Sequence, residues 1–451
     1  MFLYGESRET MFHVAGMMPF TPAAGTPPDH LRDLMDEIRE APICAPWNRK
    51  LKTPDTLRNP LHSWVEVDDI DREYHVRRSA LPTPGDEREL GILVSRLHGY
   101  PVDFHRPPWE VHLIEGLEGG RFALYVKVHH ALIDGFSAMR VLSSSLSKDP
   151  EDRSRPLFFS QEKPPRAPRE AKDEVVGIQF QEFLDAFRSQ YGASKIVARA
   201  VMNVVRSSRA KDNELISPRH APKCILNAKI GRARRFATQS FAFSRIKELA
   251  RKGNGTINDV ILALCAGSIR RYLVELDALP AQPLVAMLPV SVRAKDDEGG
   301  GNSVGAILAS LATDIHDPGE RLRAIIASTT NAKRQLQGMT KAAILQYSAL
   351  LCAPAMINMI PSASGAMKPT FNVVISNVPG PEEHRYFRGA KLEASYPMSI
   401  PVHGQALNIT CNSYAGRVCF GFTGCRDTVP HLQRLAVYSA DAMAELEQAL
   451  A

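Results

Sequence analysis

The run His129-His130-Ala131-Leu132-Ile133-Asp134-Gly135 holds the residues best able to do chemistry in this chain. It follows a segment, Arg121 to His129, in which Phe122, Leu124, Val126 and Val128 alternate with Ala123, Tyr125 and Lys127. A period of two is a strand with one buried face. Continued through the motif, it sets His130 on the face of Val126 and Val128, and His129 on that of Tyr125 and Lys127. Two imidazoles on opposite faces cannot share a metal ion, so the spacing favours a single general base. An imidazole of ordinary pKa, about 6.5, can take a hydroxyl proton near neutral pH. Asp134 sits in the turn before a helix that starts near Gly135, where a carboxylate can hold a histidine ring or pin the loop through an arginine. The bland alternative, a satisfied core histidine, does not explain two adjacent His followed by Asp-Gly at a strand-to-helix turn.

The elements that position this motif alternate helix and strand. Leu31 to Glu40 has helical apolar spacing, Ser63 to Val67 reads as a strand, and Glu87 to Gly99 as a second helix. Prolines 150, 156, 164, 165 and 168 among charges mark a surface linker. Phe180 to Arg209 is helical in pattern, and a polar connector with Pro218 and Pro222 follows. Beyond it, Phe236 to Phe243 is a strand, and a helix over Ser244 to Lys252 ends at Gly253. Thr256 with Asp259 forms a capping box for the next helix, whose buried stripe includes Val260, Ile261, Leu264, Cys265 and Ile269. Phe371 to Ser376 is a short strand. Leu407 to Tyr414 and Arg417 to Thr423 flank Ala415-Gly416 as a hairpin. These patterns divide the chain into an α/β (α+β) domain over 1–148, a linker and helical connector over 149–235, and a second α/β domain over 236–451.

The chain has 451 residues, 44% hydrophobic and 23% charged, with a net charge of +6. That balance excludes a mainly disordered chain and a polytopic membrane protein. Interspersed charges argue against nucleic acid and suit anionic substrates or an anionic membrane surface. The cluster Arg232, Arg234 and Arg235 is either a solvated face or a docking surface for phosphates. Seven scattered cysteines, none in a CxxC pair, support neither a disulfide framework nor a structural metal. The first residues do not read as a secretory signal, so a reducing cytosol is the simplest compartment. From Ala342 to Met367 no residue is charged, yet Gln346, Tyr347, Ser348 and Asn358 dilute the stretch and Pro354 interrupts any helix in it. It reads as a buried helix or a lipid-facing surface, not as a transmembrane anchor.

HHALIDG resembles the HHxxxDG signature of CoA-dependent acyltransferases and of peptide-synthetase condensation domains. Further blocks narrow the resemblance to the bacterial wax ester synthase/diacylglycerol acyltransferase family. Residues 101–110 (PVDFHRPPWE) resemble its PLDxxRPLWE block, departing at Val102 and Pro108. Asn258-Asp259, Leu288 to Arg293, Ser376 to Pro381, Gly404 to Asn408 and the opening MFLYGESRE are similar to others. The resemblance implies a two-domain, chloramphenicol acetyltransferase-like architecture, with His130 at the domain interface and a tunnel that the 342–360 segment helps line. It implies that His130 deprotonates a long-chain alcohol or diacylglycerol, which attacks fatty acyl-CoA directly to give a wax ester or triacylglycerol. No GxSxG elbow or cysteine beside the histidines offers an acyl-enzyme route. By the same resemblance His129 supports the geometry, Asp134 pairs with an arginine for which Arg293 is the candidate, and Gly135 keeps a Cβ out of the substrate's path. Asn258 is either the oxyanion donor or only part of the helix cap. Ser376, Gln405 and Asn408 are candidate substrate contacts, and Arg232, Arg234 and Arg235 are candidates for the CoA phosphates. Acyl-CoA enters as co-substrate, with no permanently bound cofactor and no metal. The protein is then expected in the cytoplasm, peripheral to a membrane or lipid droplet. Competing readings are transfer to another acceptor, an amine or complex-lipid hydroxyl, and a non-catalytic lipid-surface protein.

Overall fold

The computed structural model describes residues 2–27, 29–57, 62–133, 135–161, 220–291, 304–337, 339–358 and 368–451. The expected helix over Phe180–Arg209 and most of the linker lie outside them. In chain order the elements are β1 (His13–Thr21), α1 (His30–Glu40), β2 (Arg49–Leu51), β3 (Trp64–Glu66), α2 (Arg72–His75), β4 (Val76–Ala80), α3 (Glu87–His98), β5 (Trp109–Glu115), β6 (Phe122–His129) and α4 (Gly135–Ser144). There follow β7 (Arg234–Ala242), α5 (Phe243–Lys252), α6 (Ile257–Glu275), β8 (Val285–Ser291), β9 (Val304–Ser310), α7 (Pro318–Leu336) and α8 (Lys341–Asn358). The chain closes with β10 (Val373–Val378), β11 (Tyr386–Phe387), β12 (Ala390–Leu392), β13 (Tyr396–Met398), β14 (Leu407–Tyr414), β15 (Arg417–Cys425) and α9 (Arg434–Ala449).

The described residues form two compact units. The first takes the chain through residue 161 together with Pro379–Ile400 and Asn412–Ala415; the second takes the remainder from residue 220. The sequence pattern predicts a single domain over 236–451. That is corrected at 379–400 and 412–415, and the cause is strand pairing: β12 and β13 both lie antiparallel on β1.

In the second unit a six-stranded sheet runs β7-β15-β14-β10-β8-β9. Its β14–β15 hairpin turns on Ala415 and Gly416, both at positive φ (45° and 75°), the turn hand that matches strand twist. The core centres on α6, whose residues 259–269 are all buried. The helix α8 runs through Pro354, where an interruption was expected. Proline at 354 removes one hydrogen bond, to the carbonyl of Leu350, and that residue is 37% exposed. One face of α8 is buried, with Tyr347 and Leu351 packed in a cluster with Leu308 and Phe371. No helix among the described residues is long and apolar enough to cross a membrane.

In the first unit a seven-stranded sheet runs β11-β12-β1-β6-β5-β4, with β13 also on β1. All its pairs are antiparallel except β4–β5. The central strand β6 has different chemistry on its two faces. Leu124, Val126 and Val128 join an apolar core with Leu34, Met35 and Ile38 of α1 and Ala138 of α4. The other face carries Tyr125, Lys127 and His129, all fully buried, and it is lined with polar partners. Lys127 lies opposite Glu110 in the β5–β6 register, and its Nζ meets Glu110 Oε2 at 3.0 Å. The same Nζ donates to the carbonyls of Tyr100 (3.1 Å) and Leu97 (3.3 Å) at the end of α3. The His112 ring contacts Glu110 Oε2 at 3.3 Å, and Tyr74 donates its hydroxyl to Oε1 at 3.4 Å.

Burial alone would raise the Glu110 carboxyl, but the hydrogen bond from His112 and the charges of Lys127 and Arg77 bring it down to about 2. Burial, foremost, holds the His13 and His112 imidazoles below their ordinary pKa. Removing Lys127 leaves the Glu110 carboxylate buried without its nearest cation, which lies at 3.0 Å. Lys127→Ala is therefore expected to lower unfolding free energy by about 3–5 kcal/mol, read from urea midpoints. The sign of the pH effect follows from Glu110. Its depressed pKa contributes stability above pH 4.5 that is lost as pH falls toward about 2. In Lys127→Ala that portion of the acid dependence should shrink, and an unchanged acid limb would refute the pair's role.

Candidate active site

The end of β6 is fixed by its pairing with β1, in which His129 lies opposite His13. One more backbone bond, from the His130 N–H to the Phe12 carbonyl at 2.8 Å, continues the pairing past the strand. The chain then turns, the Leu132 N–H donating to the His129 carbonyl at 2.9 Å. His129 stays on the polar face, as the alternation requires, with its ring edge-on to Phe104 at 4.8 Å. Its Nδ1 accepts the Ala131 N–H at 3.1 Å, which puts the ring proton on Nε2, and Nε2 donates to Glu6 Oε2 at 3.2 Å. Both ring nitrogens of this fully buried histidine are thus committed within the protein.

His130 is the partly exposed member of the pair. Its ring lies against that of Phe2, centroids 4.3 Å apart and planes inclined by 34°. Asp134 and Arg293, the pair expected to pin the motif, lie outside the described residues. Gly135 opens α4, and a Cβ there would meet nothing within 4 Å among the described residues. No contact among the described residues therefore requires glycine at that position.

The second unit holds the other expected site residues. Asn258 is exposed at the second position of α6. The cap belongs to its neighbours: Thr256 accepts the Asp259 N–H, while the Asp259 carboxylate accepts the Thr256 N–H at 2.8 Å. Asp259 is fixed further by the Thr329 hydroxyl at 2.7 Å. Asn258 takes no part in that box, and its Oδ1 accepts from Asn377 Nδ2 at 2.8 Å. Ser376 is half-buried in β10, and its carbonyl accepts the Cys411 thiol at 3.3 Å. Gln405 is buried, donates to the Phe371 carbonyl at 2.8 Å, and lines a cavity of about 100 Å³ with Cys224, Asn227, Thr370 and His403. Asn408 is buried, its Oδ1 accepting the Thr410 hydroxyl at 3.0 Å.

The three arginines proposed for phosphates do not form one surface cluster. Arg232 is exposed and Arg235 half-buried, but Arg234 is 4% exposed and donates to the Gly231 carbonyl at 2.6 Å. The period of β7 turns Arg234 inward and Arg235 to the other face, so Arg234 is removed from the phosphate set. Sequence reasoning also missed Glu6, Phe2 and Phe104 around the histidines and Asn377 beside Asn258. They lie in the same blocks that carried the resemblance, but nothing in their spacing says what they touch. Among the described residues no three His, Cys, Asp or Glu side chains gather to hold a metal ion.

Comparison with known proteins agrees with this fold. Residues 1–261 match the family model described as the wax ester synthase/diacylglycerol acyltransferase catalytic domain, and residues 300–447 the C-terminal domain of that family. The chain is 50% identical to a putative diacylglycerol O-acyltransferase of Mycobacterium tuberculosis, covering 99% of this chain and 96% of that protein. It is 39% identical to the O-acyltransferase WSD of Acinetobacter baylyi, over 100% of this chain and 96% of the relative. The solved wax ester synthase/diacylglycerol acyltransferase of Marinobacter aquaeolei VT8 superposes with a TM-score of 0.79 at 39% identity, covering 100% and 97% of the two chains. A condensation domain of the calcium-dependent antibiotic synthetase shares the fold at 16% identity, with a TM-score of 0.56 over 98% and 92%. The chain therefore belongs to the wax ester synthase/diacylglycerol acyltransferase family of O-acyltransferases.

Proposed function

We propose that this chain transfers a fatty acyl group from acyl-CoA to the hydroxyl of a long-chain alcohol or diacylglycerol, with His130 as general base. The observation that carries the assignment is the division of labour within the His pair. His129 is buried with Nδ1 and Nε2 both committed, whereas His130 has access to solvent. His130 takes the acceptor's hydroxyl proton as its oxygen attacks the thioester carbonyl. The tetrahedral intermediate then collapses, the C–S bond breaks, and the imidazolium returns the proton to the leaving CoA sulfur. The ester and free CoA are the products, and no covalent acyl-enzyme forms.

Asn258 is the proposed donor to the oxyanion. With the cap made by Thr256 and Asp259, and its own Oδ1 engaged by Asn377, its amide N–H₂ group is the end that can face a developing negative charge at a helix N-terminus. Ser376, Gln405 and Asn408 are the candidate contacts for substrate polar groups. Arg232 and Arg235 are the arginines proposed for CoA phosphates. Peripheral attachment to a membrane or lipid-droplet surface in the cytoplasm belongs to the same proposal, supported by the net charge of +6 and the lipid nature of the substrates.

The deciding assay follows free CoA released from palmitoyl-CoA, with and without hexadecanol or a diacylglycerol. Release should depend on the acceptor; acceptor-independent release overturns the esterification claim. His130→Ala should reduce turnover by about 10²–10⁴-fold with its melting temperature unchanged. Asn258→Ala should lower kcat by about 10²–10³-fold if its amide binds the oxyanion, and a wild-type kcat would remove that role.

A different signature is expected of Asp134 and Arg293, proposed as a structural pair. Asp134→Ala and Arg293→Ala should each cost about 3–5 kcal/mol of stability, and the double variant no more than the worse single one. Additive losses in that cycle would show that the two do not pair.

A further inference from the structure

We infer that Glu6 is a positioning residue for the general base, an inference that rests on His130 having that role. Glu6 precedes β1 in a segment folded back on itself. The Glu6 N–H donates to the Leu3 carbonyl at 3.3 Å, the Ser7 N–H to the Thr10 carbonyl at 2.9 Å, and the Thr10 N–H to Ser7 Oγ at 3.0 Å. These turns bring the Glu6 carboxylate, 4% exposed, under the end of β6. A single oxygen, Oε2, then accepts two donors: the Phe12 N–H at 2.8 Å and His129 Nε2–H at 3.2 Å.

The two bonds act on His130 from both sides. Phe12 is held through its N–H by Glu6, and its carbonyl accepts the His130 N–H at 2.8 Å, so one residue links the carboxylate to the backbone of the base. His129 is covalently joined to His130, and its ring is locked between Glu6 and the Ala131 N–H. The same N-terminal segment supplies Phe2, which packs on the His130 ring. Without the Glu6 oxygen, the Phe12 N–H and His129 Nε2–H lose a shared acceptor, and the peptide that sets the direction of His130 is free to shift. General-base catalysis depends steeply on that direction, since misplacement of about 1 Å can cost 10²-fold in rate. Glu6 Oε1 makes no hydrogen bond among the described residues. A glutamine can set its amide oxygen at the Oε2 position and keep both bonds, which separates geometry from charge. Its N–H₂ group then sits without an acceptor at the buried Oε1 position, and the melting temperature reads that unpaired group.

The test compares the full-length wild type with Glu6→Ala, Glu6→Gln and His130→Ala in steady-state transfer from palmitoyl-CoA to hexadecanol, with thermal melts alongside. Glu6→Ala should lose about 10–100-fold in kcat while its KM for acyl-CoA moves less than about twofold. Glu6→Gln should restore kcat to within about threefold of wild type, the deficit expected when a neutral acceptor replaces a carboxylate. Wild-type kcat in Glu6→Ala, a loss confined to KM, or a cooperatively melting Glu6→Gln as impaired as Glu6→Ala overturns the proposal. Should Glu6→Ala not fold, Glu6→Asp decides in its place. Its carboxylate falls one methylene short of reaching both donors, so the same kcat loss is expected and wild-type kcat again overturns the claim. A dead His130→Ala beside an unimpaired Glu6 variant removes the positioning role alone. An active His130→Ala removes the base assignment, and the positioning role with it.

Discussion

The register between β1 and β6 decides which imidazole faces which way. Successive side chains on a strand point to opposite faces, so a slip of one residue would exchange the sides of His129 and His130 along the whole strand. It would also drive Lys127 into the apolar layer of Val126 and Val128 and strip it of Glu110. A lysine buried without its carboxylate costs several kcal/mol. The polar layer therefore makes every wrong register expensive and leaves one pairing, that with His13 opposite His129. Lys127 itself lies across β6 from Ala15 and Glu110, and Tyr125 from Met17 and His112, so β1 and β5 are set against β6 by the same rows.

Such a layer adds little net stability, because burying an ion pair costs about what its attraction returns. Its partners show where it spends specificity instead. Lys127 donates to the carbonyls that end α3, and His98 of that helix meets the Tyr125 hydroxyl at 3.0 Å and the Ser399 carbonyl at 3.2 Å. His13 Nε2 in turn donates to the His98 carbonyl at 3.0 Å. One helix end, the strands β1 and β5 and a late segment of the chain are thereby tied by directional bonds to the strand that leads into His130. On the opposite face an apolar core supplies the non-directional stabilisation.

Much of this frame was legible in the sequence because it depends on local periodicity. The alternation from Phe122 to Val128 located β6 to within one residue, and Thr256 with Asp259 announced the cap that is observed. The hairpin at Ala415-Gly416 was readable for the same reason. What escaped depends on contacts distant in sequence. β11, β12 and β13 have two or three residues each, too few to show a period, so their return to β1 could not be seen. Glu6 and His129 are 123 positions apart, and no spacing rule links them. Arg234 looked like a surface charge because the charge cluster was counted without assigning its members to faces of β7. Asp134 and Arg293 remain expectations of the motif.

The remaining choice in the chemistry is between direct transfer and a thioester carried on the enzyme. A cysteine nucleophile must be a thiolate, held in a polar, partly exposed place with a lowered pKa. Four of the thiols lie in the opposite condition. Burial pushes Cys224 and Cys352 up to about 11, Cys265 up to about 12, and Cys411 well above its ordinary value. Cys265 and Cys411 are packed into the apolar core of the second unit, where they act as small hydrophobic residues. An acyl group has no activated sulfur to rest on among these four. A base that activates the acceptor hydroxyl directly needs none, and the step proposed at His130 involves no second covalent one.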